Sequence, residues 1–312
     1  MILRIGTHQQ VFPHENHNKF SALWALKPTL LETPSRVIQL CGQIRKLQGS
    51  GIFRSIEAIS VIHPDLYLYP SSWYRSMKRD LYRRTKAILG AILNRELGMS
   101  RLHVFSLPQR GPDDLIEMFS GQAEQHGSDV LIVSHTRRNL LFNCLFGNVS
   151  EKAVMRSRVP VLILKPDHDL EVRGEKPSIL LAVDPLHPPA NDAFDHVLKM
   201  AKFLSAEIKI VSVRPRAGLF SKPIPRAGDG SGISRIKDRL VESGVKVSVE
   251  MIDETANVAR ELEKYASTHG ATLIATGAPR RGHTVRGLLR VSRRPVFVLR
   301  ADEFSKNNGE SR

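Results

Sequence analysis

The chain repeats itself, and no other feature constrains its fold as strongly. The segment from Ser21, SALWALKPTLLETPSRVIQLCGQIRKL, aligns without a gap at an offset of 157 with the segment from Ser178, SILLAVDPLHPPANDAFDHVLKMAKFL. Each reads as a β-type run, a turn holding Pro28 or Pro185, and a helix. The apolar residues of the two helices fall at equal offsets: Val37, Leu40, Cys41, Ile44 and Leu47 against Phe194, Val197, Leu198, Ala201 and Leu204. That spacing is the stripe of a 3.6-residue period. β-branched runs ending at a proline follow in both copies, IEAISVIHP from Ile56 and IKIVSVRP from Ile208. Further on, EQHGSDVLIVSHT ending at Thr136 faces STHGATLIATGAP ending at Pro279, and RSRVPVLILK from Arg156 faces VSRRPVFVLR from Val291.

Each half therefore reads β-α-β-α-β-α-β-α-β. Strands that alternate with helices, and that are continuous Val/Ile/Leu runs, predict parallel sheets covered on both faces. The expected fold class is α/β, two tandem doubly wound five-stranded parallel sheets. Residues 1–17 form an arm, 18–166 the first domain, 177–301 the second, and 302–312 a tail. The stretch from Lys165, KPDHDLEVRGEKPS, is polar with two prolines and a glycine, which places the linker at 167–176.

With 41% apolar content over 312 residues, the chain has material for two ordinary cores. It contains no run of eighteen apolar residues, and MILRIGTHQQ lacks the layout of a secretory signal, so a cytoplasmic location without a membrane partner is expected. The two cysteines, Cys41 and Cys144, sit in apolar helical patterns and read as reduced core thiols. His8, His14 and His17 match no ligand spacing, and no metal is expected. The net charge of +15 is shared, +10 over residues 1–165 and +5 over the remainder, and it favours anionic partners without choosing among them.

A five-stranded α/β repeat whose fourth strand ends in a glycine-bearing loop, followed by FGNVSEKAVMRSRVPVLILKP from Phe146, resembles the universal stress protein family. Gly147, Glu151, Lys152, Pro160 and Val161 carry the resemblance, and the whole chain looks like a tandem member. The resemblance implies an adenine nucleotide α-hydrolase-like sheet of order 3-2-1-4-5. It also implies a ligand crevice above strands 1 and 4, where physics likewise puts one, beyond the carboxyl ends of the strands at a topological switch point. In nucleotide-binding members an aspartate ending strand 1 meets the adenine, a residue ending strand 2 packs beside it, and a loop G-x-x-G-(nine residues)-G-[ST] wraps the phosphates.

Carried over residue by residue, the first half departs from this pattern. Lys27 replaces the aspartate, and Ser134, Arg137, Gly147 and Asn148 occupy the four loop positions, so only Gly147 survives. A degenerate site is expected there. The second half keeps Asp184, Val213 and Gly277. From Ser134 to Pro160 is 26 residues but from Gly277 to Pro295 only 18, so eight are missing and Gly282-His283 takes the place of the G-[ST] pair. The resulting GAPRRGHT has the outline of a phosphate loop, with His283 where lysine belongs and after strand 4 instead of strand 1. Backbone N–H groups at a helix start, with Arg280, Gly282, His283 and Thr284, still suit an anion. A trimmed loop favours AMP, ADP or a free anion over a fully wrapped ATP. The alternative is that these are turn glycines only.

The expected function is a non-catalytic stress-response regulatory module. No Ser/His/Asp elbow, H-E-x-x-H or cysteine metal set is present, so no catalytic residue is assigned and at most weak nucleotide hydrolysis is expected. His126 and His269 read as helix C-terminal residues before the Gly127 and Gly270 caps. One alternative is a nucleic-acid-associated protein working through WYRSMKRDLYRRTK from Trp73 and RRGHTVRGLLRVSRR from Arg280. Trp73, Met77, Leu81 and Ile88 nevertheless fit an amphipathic helix that packs on the sheet. A second alternative is a ligand-free pair acting through protein partners. The final strands, PVLILK from Pro160 and PVFVLR from Pro295, are short apolar edges that invite pairing. An intramolecular pseudo-twofold pair with those strands antiparallel is expected, and a further homodimer stays open.

Overall fold

The computed structural model describes residues 19–26, 33–62, 71–106, 112–135, 149–166, 177–184, 191–215, 231–255, 257–277 and 283–299. The first half runs β1 (Phe20–Leu26), α1 (Pro34–Gly49), β2 (Phe53–Ile62), α2 (Ser71–Leu97), β3 (Leu102–Ser106), α3 (Pro112–Gln125), β4 (Val130–Ser134), α4 (Val149–Arg156) and β5 (Val161–Leu164). The second runs β6 (Ser178–Ala182), α5 (Asn191–Leu204), β7 (Glu207–Pro215), α6 (Ser231–Glu242), β8 (Val247–Thr255), α7 (Val258–Thr268), β9 (Leu273–Gly277), α8 (His283–Val291) and β10 (Val296–Leu299).

The ten strands form one sheet of order β3-β2-β1-β4-β5-β10-β9-β6-β7-β8. Within each half the order is 3-2-1-4-5 and every pairing is parallel. The halves meet at β5 and β10, which pair antiparallel with Phe297 opposite Leu162. Each final strand thus covers the other's open edge.

The strands are continuous apolar runs because both sheet faces are covered, and alternate residues feed different layers. Trp24, Leu26, Leu162, Leu164, Phe297 and Leu299 pack in the layer that holds α1, α2, α5 and α6. Leu23, Ala25, Val161, Ile163, Val296 and Val298 pack in the layer of α3, α4, α7 and α8. Both layers run across the seam. Lys165, buried just past β5, donates its Nζ to the Ser292 carbonyl at 2.6 Å, beyond the carboxyl end of α8 where the helix dipole favours a cation. On the other face the Phe20 ring stacks on His196 with centroids 6.0 Å apart, and Lys199 Nζ sits 4.5 Å from the Phe20 ring centre.

One helix is turned differently from the sequence pattern. Met77 and Ile88 of α2, expected to face the sheet, are 36% and 43% exposed, whereas Thr85, Leu89, Ile92 and Leu93 are buried. The apolar cluster near the carboxyl end of this 27-residue helix sets its rotation, and the sparser amino-terminal residues follow it. The side chain of Trp73 lies outside the described residues. The expected left-handed caps are present at Gly127 (φ 59°) and Gly270 (φ 64°), a conformation glycine adopts without a Cβ penalty.

Cys41 is fully buried, and burial pushes its thiol up to about 12, so it stays protonated and unreactive. Cys144 lies outside the described residues. Burial works against ionisation of Glu207, but hydrogen bonds from Lys209 and Lys246 outweigh it and hold the carboxyl below the ordinary 4.5. A hydrogen bond from Arg95, with help from Arg45, lowers Glu96 likewise. For carboxyls depressed in the folded state, the stabilisation is complete above 4.5 and is lost as pH falls through the lowered folded values. Chemical denaturation at stepped pH is therefore expected to show stability falling below pH 4.5, in part through loss of these two sites' contribution. Glu207→Gln should flatten that limb, and an unchanged acid profile would contradict the assignment.

Candidate functional site

The second half gathers its predicted residues at the switch point. β6 lies between β7 and β9, with Ala182 opposite both Val211 and Thr276. Beyond it Val183 still bonds the Val211 carbonyl at 3.0 Å, and Asp184 follows on the exposed rim. Val213, two residues past Val211, is buried, and Gly277 closes β9 opposite Leu299. His283 is exposed at the start of α8 with Thr284 after it. No acidic residue stands in the first turn of α8, so the positive end of its dipole is not offset from within the helix. Asp184, Val213, Gly277, His283 and Thr284 thus end adjoining elements on the carboxyl side of the sheet. Arg280 and Gly282 lie outside the described residues.

The corresponding strand end of the first half carries a side chain in place of the glycine. Ser134, where the second half has Gly277, is buried, and its Oγ accepts a hydrogen bond from Trp24 Nε1 at 3.4 Å. Trp24 stands where the repeat has Leu181. His135 is also buried, with Nδ1 2.6 Å from Ser150 Oγ at the start of α4. These polar atoms are turned toward one another. The roles of Trp24, His135 and Ser150 escaped the sequence reading, although a tryptophan in strand 1 against leucine in the other copy was a visible signal. Lys27, Arg137, Gly147 and Asn148 lie outside the described residues.

The two basic segments differ. On α2, Arg79, Arg83, Arg84 and Lys86 are exposed. Around α8, Arg286 and Arg290 approach Glu151 of α4 at 3.8 and 3.9 Å across the seam. Arg294 holds Glu263 at 2.7 Å and the Ala271 carbonyl. Among the described residues no helix is long and apolar enough to cross a membrane.

Two doubly wound α/β units sharing one ten-stranded sheet, each with a switch point at the carboxyl ends of its strands, define the class to which this molecule belongs. Residues 177–293 match the model of the universal stress protein family. The crystal structure of a universal stress protein from Archaeoglobus fulgidus DSM 4304 is similar over 90% of this chain and 97% of its own, at 20% identity and a TM-score of 0.62. A protein from Pseudomonas aeruginosa UCBPP-PA14 ascribed to the same family matches over 92% of this chain and 96% of its own, at 15% identity and a TM-score of 0.52. At these identities the likeness establishes the tandem fold. No curated protein matches the sequence.

Proposed function

We propose that the protein is a non-catalytic stress-response module, built of domains 18–166 and 177–301, that binds an adenine nucleotide or a similar anion in its second crevice only. One observation carries this reading. The carboxylate Asp184, the glycine end of β9 and the amino terminus of α8, with no acid in its first turn, lie on the carboxyl side of adjoining elements, while in the first half the buried Ser134, bonded by Trp24, replaces the glycine. A carboxylate accepts the amino group of a base, and a helix start with adjoining backbone N–H groups accepts a phosphate. The absence of a lysine in the loop and its shortened length favour a mono- or diphosphate and no substantial turnover.

Titration calorimetry of the full chain with AMP and ADP is expected to give one site. Asp184→Ala should weaken it by about ten- to a hundredfold, the value of one hydrogen bond to a charged group. Lys27→Ala should leave it unchanged. Binding that survives Asp184→Ala and disappears with Lys27→Ala would reverse the assignment. Binding to DNA that falls steeply with salt and is removed by replacing Arg79, Arg83 and Arg84 would instead favour a nucleic-acid role.

A further inference from the structure

At the opposite end of the first half, three side chains far apart in sequence come together. Glu57 of β2 and His103 of β3 lie on adjacent parallel strands and on one face, since Ile59, two residues after Glu57, pairs with His103. His126 joins them from the end of α3, where its backbone N–H bonds the Gln122 carbonyl at 3.0 Å and Gly127 turns the chain back toward the sheet. Glu57 Oε2 lies 3.3 Å from His103 Nε2 and 3.0 Å from His126 Nδ1. The three donor atoms are all within 4.8 Å of one another. His103 Nε2 is buried and, although Glu57 lies 3.3 Å away, makes no well-aligned hydrogen bond among the described residues.

We propose that Glu57, His103 and His126 bind one divalent transition-metal ion, of which Zn2+ is the type. A tetrahedral ion with bonds of about 2.0–2.2 Å holds its ligands about 3.3–3.5 Å apart. Two of the three spacings already have roughly that value, and the third, between the two imidazole nitrogens, is within 4.8 Å. An ion would also satisfy the buried nitrogen of His103, whose contact with Glu57 is not a well-aligned hydrogen bond. Two imidazoles and one carboxylate suit Zn2+, Co2+, Ni2+ or Cu2+, not the oxygen-seeking Mg2+ or Ca2+. The partly exposed side chains leave a fourth position to water or an incoming group.

The second half is an internal control. Lys209 stands where the first half has Glu57, Glu250 where it has His103 (Val211 pairs with Glu250 as Ile59 pairs with His103), and His269 where it has His126. There the groups are tied up otherwise. Lys209 Nζ bonds the His269 carbonyl at 3.3 Å and approaches Glu207 at 3.2 Å, and Tyr265 donates to Glu250 at 2.6 Å while its ring stacks on His269. An ammonium in place of the carboxylate cannot ligate a cation, so one equivalent per chain is expected.

The full chain, stripped with a chelator and titrated with Co2+, is expected to develop intense visible d–d bands that saturate at one equivalent and are displaced by Zn2+. Glu57→Gln and His126→Asn should each weaken the site at least tenfold. His126 is exposed at a helix end, so its replacement tests the ligand without threatening the fold. Excess Zn2+ should raise the melting temperature of the wild type and not of Glu57→Gln. A chain with His8, His14 and His17 all changed to alanine should retain the bands. Loss of the bands in that variant, their persistence in Glu57→Gln and His126→Asn, or no saturable spectrum at all would overturn the proposal.

Discussion

Replacing Phe297 with alanine is expected to lower the unfolding free energy by about 3–5 kcal/mol, a large share of the roughly 5–15 kcal/mol that holds a domain folded. Phe297 is fully buried in the short strand β10, facing Leu162 of β5 across the antiparallel seam. Truncation removes the ring's burial and leaves a cavity where the apolar layers of the two halves become continuous. Because those layers span the seam, urea unfolding followed by fluorescence and circular dichroism should give one transition. Its midpoint should shift to lower denaturant with an unchanged slope. Two separate transitions, only one of which moves, would show that the halves fold independently. A shift worth less than about 1 kcal/mol would show that the seam contributes little.

Gly287→Ala is expected to destabilise the protein by about 1–3 kcal/mol even though alanine is the better helix former by about 1 kcal/mol. Gly287 lies in α8 where it crosses α7, and a Cβ added there would come 2.6 Å from Ala259 Cβ. Neither carbon is at the end of a flexible side chain, so the helices themselves must move apart, and the overpacking outweighs the propensity. Removing the opposing methyl should relieve the clash. The pair Gly287→Ala with Ala259→Gly should thus be more stable than the sum of the single changes predicts, read as a coupling energy in a double-mutant cycle. A stabilised Gly287→Ala, or additive changes, would show that the helices accommodate the methyl freely. Since α8 begins at the proposed anion site, displacement of the helix should also weaken nucleotide binding there.

Local periodicity determined the repeat, the element types and the apolar stripes. Val37, Leu40, Cys41 and Ile44 are buried as their spacing requires, as are Phe194, Val197 and Ala201. Those patterns depend only on residues three or four apart along a helix, or on a short apolar run, so they are legible without a fold. The resemblance of the loop and last-strand residues added the strand order, and it marked Asp184, Val213 and Gly277 as residues that would end adjoining strands. What required the tertiary structure lies between segments distant in the chain. The rotation of α2 depends on which of its apolar residues meets the sheet, and Leu89, Ile92 and Leu93 decide it. The hydrogen bond from Trp24 to Ser134 depends on β1 lying beside β4. The grouping of Glu57, His103 and His126 depends on the register of β2 against β3 and on where α3 ends. No spacing rule contains that grouping, because a strand's register and a helix's end are set by packing across the sheet, and sequence separation carries no record of either.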